Sequence, residues 1–255
     1  MTSLVRHKTS GQVATITLDS PANRNALSRA LVGELTAALA AAEADPAARV
    51  VVLTHTGTVF CAGADLSEAS DGPMGGATAA MTAVMTALVE LAKPVIARVD
   101  GHVRAGGMGI VGACDLAVAS EKGTFAFTEA RLGLTPAIIS LTTLDLMPPR
   151  AAARYYLTGE TFGAATAVAI GLLTELAAPG ELDDVVARLA AQLRETSPQG
   201  AAETKKLLTA ARRQRMAEQS ADLAALSARL FDSDEAREGM RAFLERRPPA
   251  WRQHR

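Results

Sequence analysis

Along the first part of the chain, the spacing of hydrophobic and polar positions changes from a pattern typical of a strand to one typical of a helix, and then back. The β-branched run Val13–Leu18 is bounded by turn residues and predicts a strand. Leucines then recur every fourth residue over Leu31–Leu39, and Ser28 stands where a helix N-cap would be. Pro46 ends that helix, and the wholly apolar run Val50–Leu53 predicts a strand covered on both faces.

The same alternation continues further along the chain and then gives way to helices. Strands are predicted at Pro94–Val99 and Leu116–Ala119, and helices at Ala79–Leu91 and Gly106–Val111. This order indicates an α/β domain with largely parallel sheets. Beyond about Pro149 the segments predicted to be helical are Ala151–Leu157, Thr166–Ile170, Glu181–Thr196, Ala201–Asp232 and Asp234–Arg246. We expect these Ala- and Leu-rich helices to cap the core and to mediate assembly.

Composition narrows the class of protein without deciding its function. The chain has 255 residues, and 26 basic against 27 acidic residues give a formal net charge of −1, which argues against nonspecific nucleic-acid binding. The two cysteines provide neither a disulfide framework nor a metal-binding pair. No apolar run has the length of a membrane span, and the N-terminal segment lacks a secretory signal. We therefore expect a cytoplasmic protein with no membrane or nucleic-acid partner.

Two glycine-containing turns are candidates for holding a ligand through the backbone. Cys61–Leu66 (CAGADL) follows an apolar run, and its Gly-Ala pair can leave an N–H pointing into a cleft, although an ordinary strand-to-helix turn is favoured on these residues alone. Ala105–Gly109 (AGGMG) begins a predicted helix, whose N-terminal N–H groups can hold a phosphate or an oxyanion. Close helix packing is the alternative. Two N–H groups converging on one oxygen would form an oxyanion hole.

Six segments of the chain resemble, in order, the crotonase superfamily of enoyl-CoA hydratases and isomerases. They are VATITLDSPANRNALS, TVFCAGADLSE, KPVIARVDGHVRAGGMGIVGACDLAVAS, FAFTEARLGLTP, YYLTGETF with AIGLLTE, and FLERRPPAW. The resemblance implies an α/β fold, a crotonase-like spiral of ββα units with a C-terminal helical oligomerisation region. It implies a core with a CoA thioester site at 1–195 and a trimerisation region at 196–255, in a homotrimer or a dimer of trimers. It implies neither a metal nor a cofactor, since coenzyme A is part of the substrate.

The resemblance also assigns roles to particular residues. The N–H groups of Ala64 and Gly106 would hold the thioester oxygen of an acyl-CoA as it becomes an enolate. Glu129 would be the catalytic base and acid, with a structural carboxylate as the alternative. The residues implied to bind the substrate or its CoA are Arg24, Cys61, Ala62, Ala64, Asp65, Leu66, Arg104, Gly107 and Pro136. The apolar segment Pro136–Ile139 would line the acyl end of the cleft.

The number of carboxylates bears on the reaction. Hydratases of this family typically use two glutamates, and the first of these positions is Gly109 in this chain, whereas Glu129 matches the second. One carboxylate can still activate water and return its proton, so hydration of a 2-enoyl-CoA is the expected activity. It can equally carry a proton from C2 to C4, so double-bond isomerisation is the alternative. A catalytically weak acyl-CoA-binding subunit is a third hypothesis, from another functional class.

Several polar residues have two interpretations each. Arg104 precedes the second turn and would either pair with a distal substrate carboxylate or, as favoured here, make a salt bridge within the fold or across a subunit contact. His102 is expected to make a structural hydrogen bond. Glu68, Asp115 and Asp145 are the candidate carboxylates to replace the missing acid.

Two further expectations concern the edges of the site. Lys205 and Arg247 are candidates for binding the CoA phosphates, although a solvated surface charge is favoured for each. The Gly-rich polar segment Ser67–Ala77 has no clear period and predicts a mobile loop that could cover the acyl pocket.

Overall fold

The computed structural model describes residues 3–70 and 75–252 and places two sheets beside a layer of helices. The strands are β1 (Val5–Ser10), β2 (Val13–Leu18), β3 (Val50–His55), β4 (Val59–Cys61), β5 (Val95–Val99), β6 (His102–Arg104), β7 (Leu116–Ala119), β8 (Thr124–Ala126), β9 (Phe162–Gly163) and β10 (Glu175–Leu176). The helices are α1 (Arg29–Ala44), α2 (Gly75–Glu90), α3 (Gly106–Ala113), α4 (Ser140–Thr143), α5 (Pro149–Thr158), α6 (Ala164–Ala169), α7 (Leu182–Glu195), α8 (Pro198–Phe231) and α9 (Asp234–Leu244).

The connectivity repeats a strand–strand–helix unit that positions the site. The larger sheet has the order β1-β2-β3-β5-β7-β10, and all its pairs except β1 with β2 are parallel. The smaller sheet has the order β4-β6-β8-β9, and β4, β6 and β8 run parallel. Each of β3, β5 and β7 leads directly into one of these three short strands. The carboxyl ends of β4, β6 and β8 therefore meet at one edge.

The predicted α/β class with parallel sheets is confirmed, and most of the predicted elements form. The Ser28 hydroxyl accepts the Leu31 N–H at 3.2 Å, as expected of an N-cap, and every residue of β3 is buried. The strands that the sequence did not indicate include β4, β6 and β8, because three residues are too few to establish a period. The predicted loop at Ser67–Ala77 is helical at both described ends, in a 3-10 helix at Leu66–Ser70 and in α2, and residues 71–74 lie outside the described residues.

The C-terminal helices pack back on the core. Helix α8 lies against α2 and α4, and its Met216 is buried in the main apolar cluster. The division of the chain at residue 195 and the trimer stay predictions. Large apolar side chains left exposed on α5, α8 and α9 are Leu157, Leu207, Leu208, Phe243 and Leu244.

Lys205 was expected to be a surface charge or a phosphate ligand and is instead buried under α8. Only 5% of the residue is exposed, and its ammonium lies 2.8 Å from Oδ2 of Asp115. It also donates to the carbonyl oxygens of Leu88 at 2.9 Å and Lys93 at 3.2 Å. Because three protein acceptors satisfy the ammonium, it joins α8 to the end of α2.

We expect Lys205→Met to lower the free energy of unfolding by about 1–3 kcal/mol, because the partly covered Asp115 carboxylate and two carbonyl oxygens would lose their shared donor. Lys206→Met is the matched control, since Lys206 is exposed on the same helix and forms an ion pair with the exposed Glu203. Its effect should stay below about 1 kcal/mol. Urea unfolding of both variants measures the difference. Equal destabilisation by the two substitutions would contradict a structural role for the buried pair.

Candidate active site

Three chain segments meet at the carboxyl edge of the smaller sheet and border one cleft of about 630 Å³. Ala64 follows β4, Gly106 follows β6 and Glu129 follows β8, and all three line the cleft. The fold therefore brings together the proposed oxyanion donors and the proposed base, although they are far apart in sequence. Other expected contact residues that line the cleft are Arg24, Ala62, Asp65, Leu66, Arg104 and Pro136.

Both turns adopt backbone conformations in the left-handed half of φ. Gly63 has φ 92°, and its carbonyl accepts the Leu27 N–H at 2.8 Å. Ala105 has φ 45° and ψ −119°, which is rare for a residue with a side chain, and its N–H donates to the Ala126 carbonyl at 3.1 Å. Strained residues of this kind often occur at functional sites, where the surrounding fold holds them.

The two turns touch each other. A Cβ built on Gly63 would lie 2.8 Å from Cβ of Ala105 and 3.4 Å from the Gly106 nitrogen. Gly106 is the first residue of α3, so its N–H has no partner within the helix. Within the described ranges, neither this N–H nor that of Ala64 donates to another protein group. Two free N–H groups from contacting turns are suited to hold one oxyanion.

Glu129 begins a 3-10 helix, Glu129–Leu132, and turns a buried carboxyl towards the cleft. Its residue surface is half-buried, but atom Oε2 has no exposed surface and no hydrogen-bond partner among the described residues. This burial raises the pKa of Glu129 from 4.5 to about 7. Near neutral pH the carboxyl can therefore both accept and donate a proton.

The position of the missing first acid is closed by apolar side chains. A Cβ built on Gly109 would lie 2.7 Å from Cγ2 of Ile139 and 2.7 Å from Sδ of Met85. A longer side chain would not fit there without moving both residues. Among the described residues that line the cleft, the carboxylates are those of Glu129 and Asp65. Asp65 accepts hydrogen bonds from the side chains of Asn23 at 2.7 Å and Ser67 at 2.6 Å.

The three carboxylates considered as replacements are held elsewhere. Oε2 of Glu68 accepts the Arg29 N–H at 3.1 Å, and Oδ2 of Asp145 lies 3.0 Å from Nε of Arg212. Asp115 pairs with Lys205, as described above. None of the three carboxylates lines the cleft.

Two residues expected to contact the substrate lie behind the wall of the cleft. A Cβ built on Gly107 would lie 2.8 Å from Cβ of Cys61, so the two residues pack against each other. Sγ of Cys61 accepts the Gly63 N–H at 3.4 Å, and burial raises the pKa of this thiol to about 12. Cys61 and Gly107 therefore shape the turns and do not line the cleft.

Arg104 and His102 bond within the smaller sheet. The Arg104 guanidinium donates to the carbonyl oxygens of Thr124 at 2.6 Å and Val103 at 2.9 Å, and to the Thr124 hydroxyl at 2.8 Å. Nδ1 of His102 lies 2.9 Å from the same hydroxyl. These contacts favour roles inside the fold, so the carboxylate clamp on Arg104 gains no support from the geometry.

The C-terminal region contributes to the site in a way that the sequence did not indicate. Arg247 donates to both carboxylate oxygens of Glu238, at 2.6 and 2.9 Å, so this candidate phosphate ligand is engaged in ion pairs. Apolar residues of α8 and α9 line the cleft instead, and nothing in their spacing marked them for it. Cleft residues that sequence reasoning missed are Arg29, Arg131, Phe231, Phe243 and Leu244.

The described residues contain neither a candidate metal site nor a candidate membrane-spanning helix. No group of three His, Cys, Asp or Glu side chains in those ranges could hold a metal ion. No helix there has the length and apolar character to cross a bilayer.

Repeated ββα units, two turns with free N–H groups and one buried carboxyl define the class of crotonase-fold proteins. The chain belongs to the enoyl-CoA hydratase/isomerase family, since the family model with that description matches residues 8–254. The resemblance seen in the sequence and the crotonase-like fold are thereby confirmed.

Relatives and solved structures agree with this assignment. A crystal structure of an enoyl-CoA hydratase from Mycobacterium avium is 54% identical with a TM-score of 0.92, and the match covers 98% of this chain and 100% of that one. Mevalonyl-coenzyme A hydratase sidH of Aspergillus fumigatus is 33% identical, over 93% of this chain and 90% of the relative. Carnitinyl-CoA dehydratase of Proteus mirabilis is 31% identical, over 96% of each.

Proposed function

We propose that the protein is an acyl-CoA enzyme that moves the double bond of a 3-enoyl-CoA to the 2-position. The N–H groups of Ala64 and Gly106 hold the thioester oxygen while Glu129 removes a proton from C2. The electron pair of that C–H bond moves into a dienolate, whose negative charge rests on the held oxygen. Glu129 then returns the proton to C4, and the product has the composition of the substrate.

The observation that carries this proposal is the apolar packing over Gly109. Addition of water needs a site where water can be held and oriented beside the base. In this chain Ile139 and Met85 occupy the place where a second carboxylate would stand. A proton shuttle between two carbons requires only one carboxyl, and Glu129 with its pKa of about 7 suits both halves of it.

Hydration of a 2-enoyl-CoA is the second candidate, and it is the activity that the sequence favoured. The names of the relatives support it, since they include an enoyl-CoA hydratase and a mevalonyl-coenzyme A hydratase. In that reaction Glu129 would take a proton from water and deliver it to C2 while the C3–O bond forms. The oxyanion donors would act as they do in isomerisation.

Turnover of a 3-enoyl-CoA and of crotonyl-CoA, with products resolved by mass and chromatography, tests the proposal. We expect the 3-enoyl thioester to become the 2-enoyl thioester without change of mass, about tenfold or more faster than crotonyl-CoA gains water. Faster gain of one water would replace the proposal by hydration. Tight binding of both thioesters with no turnover would make the protein an acyl-CoA-binding subunit.

A further inference from the structure

The side chain of Ile139 forms part of the cleft wall. It lies against Gly109 of α3, one helical turn after the proposed oxyanion donor Gly106. Gly106 and Gly109 are three residues apart on α3, so they lie on one face of the helix, about 5 Å apart along the axis. Ile139 is buried and reaches to within contact of Gly109, with Met85 behind it. The side chain therefore fills space that lies directly beside the proposed enolate site.

Hydrogen bonds fix the segment that carries Ile139. The Thr142 hydroxyl donates to the Gly109 carbonyl at 2.9 Å, and the Thr143 hydroxyl donates to the Ile139 carbonyl at 2.6 Å. A Cβ built on Gly112 would lie 2.6 Å from the Thr142 carbonyl oxygen, so α4 approaches α3 backbone to backbone. Because these contacts hold α3 and α4 together, Ile139 cannot move away from Gly109 without breaking the hydrogen bonds.

The Tyr156 hydroxyl lies behind this segment and has no free proton to donate to a water molecule. The Tyr156 hydroxyl lies 2.6 Å from the Thr143 hydroxyl oxygen. Since the Thr143 proton is committed to the Ile139 carbonyl, the Tyr156 O–H donates to Thr143. The centroid of the Tyr156 ring lies 4.4 Å from that of Phe127, two residues before Glu129, so these contacts lead from Ile139 to the strand that ends beside Glu129.

We propose that Ile139 determines the reaction specificity by excluding water from the space beside Glu129. This inference rests on the proposed isomerase function. With Ile139 in place, the proton that Glu129 takes from C2 can go only to the dienolate, either forward to C4 or back to C2. With the side chain shortened, water enters and exchanges with that proton. Water can then also add to C3 of the 2-enoyl product while its own proton passes through Glu129 to C2.

The test uses Ile139→Ala and the milder Ile139→Val in the full-length chain. The substrate is a 3-enoyl-CoA deuterated at C2, and the first readout is the fraction of deuterium that reaches C4. The second readout is the ratio of water addition on crotonyl-CoA to isomerisation. Leu141→Ala is the matched control, because Leu141 is a buried side chain of the same size in the same segment that does not line the cleft.

We expect Ile139→Ala to lower deuterium transfer and to raise the hydration ratio by about tenfold or more. Ile139→Val should change both less in the same direction, and Leu141→Ala should change neither. Thermal unfolding of each variant identifies any that do not fold, and Ile139→Val then decides. If the wild-type protein isomerises but the Ile139 variants keep its deuterium transfer and its ratio, this inference fails alone. If the wild-type protein hydrates faster than it isomerises, the proposed function fails, whatever the variants do.

Discussion

Replacing Glu129 by glutamine is expected to lower kcat by about 10²- to 10⁴-fold. Glutamine keeps the size and most of the polarity of the side chain but cannot carry a proton at neutral pH. Because no other carboxylate in the described cleft is free to take over, the loss should be near complete. Glu129 is not among the residues proposed to hold the CoA part of the substrate, so binding of a saturated acyl-CoA should change less than about twofold.

Turnover and acyl-CoA binding are measured for Glu129→Gln beside Glu121→Gln. Glu121 is an exposed carboxylate in the turn between β7 and β8, so its removal tests for a general effect of lost negative charge. The control should keep its activity. Turnover of Glu129→Gln within about tenfold of the wild-type rate would overturn the assignment of Glu129 as the proton carrier.

The same variant should also show how much the buried carboxylate of Glu129 lowers the free energy of unfolding. Burial raises the pKa of Glu129 from 4.5 to about 7, so between these values the folded protein holds a proton that the unfolded chain has released. The free energy of unfolding therefore falls as pH rises through this window, by about 3 kcal/mol at most. Glu129→Gln lacks this slope, and its stability relative to the wild type should rise from pH 4.5 to 7 and then level off.

The sequence predicted the chemical groups of the site better than their arrangement. The glycines of the two turns could be found from local residue patterns, since a helix start or a strand end needs few neighbours to define it. Glu129 was assigned through the resemblance to the family. The strands that bring them together could not, because β4, β6 and β8 have three residues each. Their pairing is a long-range property of the sheet.

Long-range packing also explains the remaining differences between expectation and structure. The sequence shows that the first family glutamate is replaced by Gly109. Only the fold shows that Ile139, from a distant segment, fills the position where that side chain would be. Lys205 has the sequence surroundings of a surface charge, and its burial depends on Asp115, the residue that precedes β7. In both cases the partner is far away in the chain, so no local pattern could indicate it.

Replacing Gly63 by alanine is expected to lower kcat by about 10²- to 10³-fold through loss of an aligned oxyanion donor. At φ 92° a side chain is strained, and its Cβ would lie 2.8 Å from Cβ of Ala105. The first turn must then move away from the second, so the N–H groups of Ala64 and Gly106 no longer point at one oxygen. Acyl-CoA binding should weaken much less, because the developing charge exists only during the reaction.

Gly57→Ala separates the loss of the oxyanion hole from backbone strain. Gly57 has φ 75°, a Cβ there would lie 2.8 Å from Cβ of Pro21, and the residue does not line the cleft. Both variants should lose stability by about 1–3 kcal/mol, but only Gly63→Ala should lose turnover. Equal losses of kcat would show that strain anywhere in this region impairs the enzyme. If the Gly63→Ala variant folds and keeps the kcat of the wild type, the two turns have no role in the mechanism, since their contact is what would align the donors.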